Sequence, residues 1–267
     1  MKKSLLLTLI ALVSVSTVFA SGAKESEETN KIVIGATPEP HAAMLNLVKD
    51  DLEAQGYELE IIEFTDYVTP NEALESGEID ANFFQHLPYL ETFNKEHNTH
   101  LVSAGGIHVE PIALYSKTVS SIDELEDGAT IAIPNDPTNE GRALLLLESA
   151  NLITLKDDAG LEATPFDIKD NPNNFKFQEI EAATLPRIIG DVDAAIINGN
   201  YAIPAGLIAT QDGLLIEGAQ SPYVNVIAIK EGNESAKIDA LVKALKSDKV
   251  ASWVQEQYPN GEVVLVE

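Results

Sequence analysis

GEIDANFFQH at residues 77–86 and GDVDAAIINGN at residues 190–200 are the two stretches on which the fold turns. Each opens with glycine, an acid, a β-branched residue, aspartate and alanine, at an offset of 113 residues. Each then enters a short run, Asn82-Phe83-Phe84 in one and Ala195-Ile196-Ile197 in the other, and ends in polar groups, Gln85-His86 and Asn198-Gly199-Asn200. A five-residue match can be coincidence. The alternative is two similar lobes whose corresponding strands end at a shared crevice. In open α/β sheets ligands bind outside the carboxyl ends of strands, which makes the two polar ends candidate opposing walls.

Outward from these stretches, short strand-like runs alternate with helix-like ones, a pattern that predicts α/β lobes with largely parallel sheets. Residues 32–35 read as a strand, 41–55 as a helix, 58–64 as a second strand, 71–76 as the start of a helix and 79–84 as a third strand. A second set follows, with strand 130–133, helix 139–150 and strands 175–180 and 194–197. The chain closes with the extended apolar run 223–229 and a helix-like stretch over 235–258.

The first twenty residues stand apart from this pattern. Lys2 and Lys3 precede an apolar run over residues 5–13, and Val18-Phe19-Ala20 places a small-residue cleavage site before Ser21, as in a secretory signal peptide. The run is too short to span a bilayer, which takes about 20 apolar residues. Residues 21–30, SGAKESEETN, read as a flexible tether. Cleavage removes two lysines and no acid, leaving 15 basic against 43 acidic residues and a net charge of −28. Such a balance argues against nucleic acid, whose phosphates demand clustered Lys and Arg, and against docking on anionic lipid. The absence of cysteine excludes disulfides, thiolate metal sites and a Cys nucleophile. About 240 residues beyond the signal suit one large domain or two lobes of about 100 to 120.

Five stretches carry a resemblance: IVIGATPEPHAAML (32–45), FTDYVTPNEAL (64–74), GEIDANFFQHLPYLE (77–91), IPNDPTNEGRALLLLE (133–148) and SPYVNVI (221–227). Over nearly all of its mature length the chain resembles the NlpA/MetQ family of methionine-binding ABC-transporter proteins. The resemblance implies an α/β, two-lobed periplasmic-binding-protein fold (type II), with two mixed, mostly parallel sheets joined by two crossover strands. It places lobe I at 31–112 plus 225–267 and lobe II at 113–224. It implies a monomer that captures methionine between its lobes and delivers it to a transporter permease and ATPase, with no cofactor. A methionyl dipeptide or another small amino acid is the alternative ligand. Family members carry a lipidated cysteine at the mature N-terminus, whereas Ser21 stands here in a chain without cysteine. Either ordinary signal peptidase releases the protein to the periplasm or cell envelope, or the serine is a change from an anchored parent.

A buried amino acid brings a carboxylate and an ammonium, and both need partners. An arginine fork meets the carboxylate best, and the mature chain has two arginines, Arg142 and Arg187. Arg142 opens a helix after the 130–133 strand; it either pairs on the surface with Glu140 or Glu148 or serves an anion site. The resemblance selects the second reading, with Asn139 beside the carboxylate, and leaves Arg187 structural. Asn198 and Asn200 flank Gly199 and read either as a turn or as acceptors for the ammonium; the resemblance favours Asn198 over Asn200. It also assigns Tyr67, Phe84, His86 and Tyr89 to an aromatic wall suited to a thioether. Adjacent strand residues point to opposite faces, so Phe84 faces the ligand and Phe83 the core.

His86, or His97 with His100, makes a metal receptor conceivable, but no acidic residue completes a ligand-like motif. The sequence holds no G-x-S-x-G elbow, H-E-x-x-H, P-loop or Rossmann glycine pattern. A binding constellation without a nucleophile therefore predicts a receptor, not an enzyme.

Overall fold

The computed structural model describes residues 30–218 and 221–266. The signal segment, the cleavage position before Ser21 and all of the tether but Asn30 lie outside the described residues. Among those residues no helix is long and apolar enough to cross a membrane.

The chain opens with β1 (Lys31–Ala36), α1 (Ala43–Glu53), β2 (Glu58–Glu63), α2 (Thr69–Ser76), β3 (Ala81–His86), α3 (Leu87–His97) and β4 (Leu101–Val109). It crosses over residues 110–112 into β5 (Ala113–Tyr115), β6 (Thr130–Pro134), α4 (Pro137–Ser149), a ribbon of β7 (Thr154–Leu155) and β8 (Ile168–Asp170), and β9 (Lys176–Ile180). Next come α5 (Leu185–Ile188), β10 (Ala194–Ile197), α6 (Gly199–Ala202), α7 (Ala209–Asp212) and β11 (Gly213–Ile216). A second crossing leads back through β12 (Val224–Lys230), α8 (Ala236–Leu245) and α9 (Asp248–Gln257) to β13 (Val264–Leu265). The result is two α/β lobes, one around a six-stranded sheet ordered β13-β4-β12-β3-β1-β2 and one around a five-stranded sheet ordered β11-β5-β10-β6-β9.

The sheets are mixed, but the expectation that they are mostly parallel is corrected. Parallel ladders hold only β2-β1-β3 in the first sheet and β10-β6-β9 in the second. Parallel neighbours need a crossover, as α1 supplies between β1 and β2. The strands on either side of the two crossings run against their neighbours, so β4, β5, β11 and β12 pair antiparallel. The helix expected over 235–258 is two helices. Ser247 ends the first and caps the second, its hydroxyl accepting from the Val250 N–H, and Asp248 favours the new N-terminus.

Apolar periodicity puts these elements together. Met44, Leu45, Val48 and Leu52 form one buried stripe of α1, which packs with Ile32, Ile34 and Phe83 and with Leu241 and Leu245 of α8. Leu144 and Leu147 of α4 do the same against Ile131, Ile133 and Ile196 in the other lobe. The repeated glycine–acid–β-branched–Asp–Ala pattern is structural. Asp80 accepts the N–H of Val33 at 2.8 Å and its own N–H meets the Val33 carbonyl at 2.7 Å. Asp193 does the same with Thr130, at 2.7 and 3.1 Å. Each aspartate therefore ties the entry of β3 or β10 to its parallel neighbour.

Candidate functional site

The carboxyl ends of β3 and β10 face one another across a narrow cavity lined by residues of both lobes. Two helices begin there. His86 caps α3, its Nδ1 accepting the Tyr89 N–H at 3.1 Å, and Asp136 caps α4, its Oδ1 accepting the Asn139 N–H at 3.0 Å. Both carry proline in the first turn, where its missing N–H costs nothing. The two starts are joined: His86 Nε2 lies 3.1 Å from Asn139 Oδ1, which also accepts from Asn198 Nδ2 at 2.7 Å. Because Nδ1 accepts a backbone N–H, the proton of the imidazole sits on Nε2 and is donated to Asn139. Burial, and then the charge of Arg142, hold His86 neutral, its pKa lowered to about 3.

All eight residues singled out in the sequence line this cavity: Tyr67, Phe84, His86, Tyr89, Asn139, Arg142, Asn198 and Asn200. Phe83 turns the other way, into the core against His41 and His108. Tyr67 lies 5.8 Å from Phe84 and 5.9 Å from Tyr89, and Tyr89 lies 6.2 Å from His86, a continuous wall of rings in edge and tilted contact. The Tyr89 hydroxyl donates to the Tyr67 carbonyl at 2.8 Å, and the Tyr67 hydroxyl crosses to the other lobe to donate to Asn200 Oδ1 at 2.6 Å.

The polar side departs from expectation in two ways. The Arg142 fork is already engaged: Nε and Nη2 donate to Glu217 at 2.9 and 2.5 Å, and Nη2 donates to the Glu110 carbonyl at 2.8 Å. Its guanidinium lies 4.3 Å above the Tyr223 ring, and its hydrogen bonds to Glu217 and Glu110 use Nε and Nη2, not Nη1. The surface pairing with Glu140 or Glu148 does not form. Asn200, considered as an acceptor, has its oxygen taken by Tyr67 and presents a buried Nδ2 that has no partner. Asn198 presents a buried Oδ1 that has none either. Asn139 is satisfied on every side by His86, Asn198 and Asp136, so it orders the wall. Arg187 lies exposed on α5, bonded locally to Thr184 and remote from the lining.

Gln85, Glu110, Gly199 and Asn225 complete the lining; Gln85 and Gly199 belong to the polar strand ends read as opposing walls, whereas Glu110 and Asn225 were missed in the sequence. Gln85 and Asn225 sat inside quoted motifs, and Gly199 between two chosen residues. Gly199 has a steric reason to be glycine, since a Cβ there would lie 2.8 Å from Glu110 Cβ and 2.9 Å from its Oε2. Glu110, on the first crossing, gave only the faint signal of an acid before proline. It is buried, with one carboxylate oxygen 2.8 Å from His108 Nε2 and 3.3 Å from His41 Nε2. Burial lifts its pKa to about 7 against the pull of His41, Arg142 and the Asn200 N–H. His41, His108 and Glu110 form the one metal-like grouping among the described residues. Thr37 meets His41 Nδ1, His41 Nε2 is shared between Asn225 Oδ1 and Glu110, and both imidazole Nε2 atoms converge on one carboxylate oxygen, which reads as hydrogen bonding. His97 stacks on Phe93 and His100 pairs with Glu75, so neither joins His86.

With this geometry in hand, the chain can be set beside known proteins. The sequence pattern of the NlpA lipoprotein family matches residues 32–266. The chain is 49% identical over 231 residues to the membrane lipoprotein TpN32 of Treponema pallidum (strain Nichols), covering 86% of each. It is 43% identical over 235 residues to the D-methionine-binding lipoprotein MetQ of Escherichia coli (strain K12), covering 87% of this chain and 86% of that one. A solved nutrient binding protein from Burkholderia cenocepacia, bound to methionine, is similar with a TM-score of 0.85 and 42% identity, over 88% of this chain and 100% of that one.

Proposed function

Since the chain belongs to the NlpA lipoprotein family, we propose that it is an extracytoplasmic substrate-binding protein that encloses methionine between its lobes and hands it to an ABC importer. The observation that carries this reading is the pairing of unmet polar atoms with a wall of rings. Asn198 Oδ1 and Asn200 Nδ2 are buried without partners, in the same lining as Arg142. A buried polar atom without a partner costs about 1–3 kcal/mol, so a ligand that supplies the partner binds well there. A zwitterion does so: its ammonium donates to Asn198 Oδ1 within reach of the Glu110 charge, and its carboxylate takes Arg142 Nη1 and Asn200 Nδ2. Tyr67, Phe84, His86 and Tyr89 then hold an apolar, polarizable side chain, which favours a thioether. The wall offers no charge to a second acidic or basic group.

The lobes are taken as 31–112 with 225–267 and 113–224, and the protein as a non-catalytic monomer. Permease and ATPase partners follow from the transport role, as does a location outside the cytoplasm. With Ser21 in the lipidation position, cleavage after Ala20 and release without a lipid are the expected outcome, which mass spectrometry of the mature N-terminus checks. Thermal unfolding tests the ligand. Methionine at a hundredfold excess over its Kd adds about 2.7 kcal/mol, a rise of roughly 5–10 °C for a chain of this size. Aspartate, lysine and glycine are expected to leave the melting temperature unchanged. A shift with lysine and none with methionine refutes the assignment, and a shift with a methionyl dipeptide alone reassigns the ligand.

A further inference from the structure

Beyond the cavity, one side-chain pair joins the lobes at a distance from any ligand. Thr92 lies on α3 and is buried, and its hydroxyl donates to Glu162 Oε1 at 2.7 Å. Lys95, one turn further along, lies 3.7 Å from the other carboxylate oxygen. Thr92 is six residues beyond His86, so the contact sits about 9 Å along the helix axis from the ligand wall.

Glu162 belongs to the other lobe and is held there firmly. Its short turn (Gly160–Glu162) lies directly against α4, the helix that carries Asn139 and Arg142. A Cβ on Gly141 would meet the Leu161 carbonyl oxygen at 2.2 Å and the Ala163 nitrogen at 2.8 Å, so glycine lets this backbone touch the helix. Gly141 immediately precedes Arg142. Anything that fixes Glu162 to α3 therefore fixes the ligand-bearing turn of α4 to the ligand-bearing end of α3.

We infer that Thr92 and Glu162 form a closure latch, a positioning pair that sets how long the ligand is held without touching it. The inference rests on the proposed enclosure of methionine between the lobes. An enclosed ligand leaves only when the lobes part, and parting breaks this bond. In the parted state both groups return to water, where the Glu162 carboxylate is already half exposed. The pair thus acts on the closed arrangement alone. The Lys95 contact is a surface ion pair with little effect of its own.

A double-mutant cycle on release kinetics tests the latch. Thr92→Val and Glu162→Ala are each expected to speed methionine release by about three- to tenfold, the range of an ordinary hydrogen bond, since the half-exposed Glu162 carboxylate stays partly hydrated. The double variant is expected to be no faster than either single one. Glu162→Gln keeps an acceptor oxygen and is expected to stay close to wild type, and all variants are expected to keep the ligand-free melting temperature. Wild-type release rates in both single variants overturn the latch and leave the ligand reading intact. So do single effects that multiply in the double variant, or ligand-free melting that falls in step with affinity. A wild type that takes up no methionine overturns the ligand reading and the latch with it.

Discussion

At Arg142 one guanidinium is proposed to serve the ligand while it is already bonded to the protein. It is engaged by Glu217, the Glu110 carbonyl and the Tyr223 ring, with side-chain exposures of 4% for the arginine and 14% for Glu217. Arg142→Ala is expected to weaken methionine binding by ~2–5 kcal/mol, about 30- to several-thousand-fold. It is also expected to lower ligand-free stability by ~3 kcal/mol, because it strands a largely buried carboxylate. Arg142→Lys keeps the charge without the planar fork and recovers part of both losses. Arg187→Ala is expected to change stability by no more than about 0.5 kcal/mol. Calorimetric titration beside thermal unfolding separates the two effects; Arg142→Ala binding within threefold of wild type places the carboxylate elsewhere. The sequence pointed to Arg142 because arginine is rare in it and follows a strand end. Glu217 was silent, being one acid among 43 whose partner lies 75 residues away. Amide direction was equally hidden: nothing in Asn-Gly-Asn tells that Tyr67 takes the oxygen of Asn200.

Among elements, the repeated aspartates are the most direct link from sequence to fold. Asp80 and Asp193 each accept a backbone N–H of the neighbouring parallel strand, and Asp80 also meets Lys237 at 3.0 Å. Replacing either with alanine is expected to cost about 1 kcal/mol, seen as a fall of ~2–4 °C in melting temperature. Asp80→Ala is expected to cost the more, through Lys237. An Asp193→Ala variant that melts like wild type reduces the echo to a pattern without energetic content. Strands with branched alternation, such as β1 and β2, and helices with a clear stripe, such as α1, were legible. The strands flanking the crossings were not. β4 carries Gly105-Gly106 where it runs beneath Val242 and Val224, and β5 spans three residues, so neither offers a periodic signal. Their antiparallel pairing follows from the path between lobes, a long-range property that no local run encodes.

For the molecule as a whole, acidity inside the fold matters more than the large negative surface charge. Glu110 has its pKa lifted from 4.5 to about 7, chiefly by burial. A raised folded value contributes stability that is full below 4.5 and is lost as pH rises through 7. Glu110→Gln cannot suffer that loss, so the variant is expected to gain on wild type between pH 4.5 and 7, by up to ~1.4 kcal/mol per unit. The neighbouring His41 and His108, lowered to about 4 and about 3, stay neutral across that window. Charges facing Glu110 also include Arg142, and Tyr67 and Tyr258 feel its field without ionising there. Urea unfolding of both proteins at several pH values measures the difference; a constant gap from pH 4.5 to 7 refutes the shifted carboxyl. The attachment of Arg142 has a mechanical meaning as well. It grips the first crossing at the Glu110 carbonyl and the second at Glu217. A point tied to both passages is a fulcrum, and displacement about a fulcrum grows with radius. On the proposed reading the occupant of the cavity would hold the short arm of a lever, and any turn of the lobes about Arg142 would carry their outer rims through the longest path.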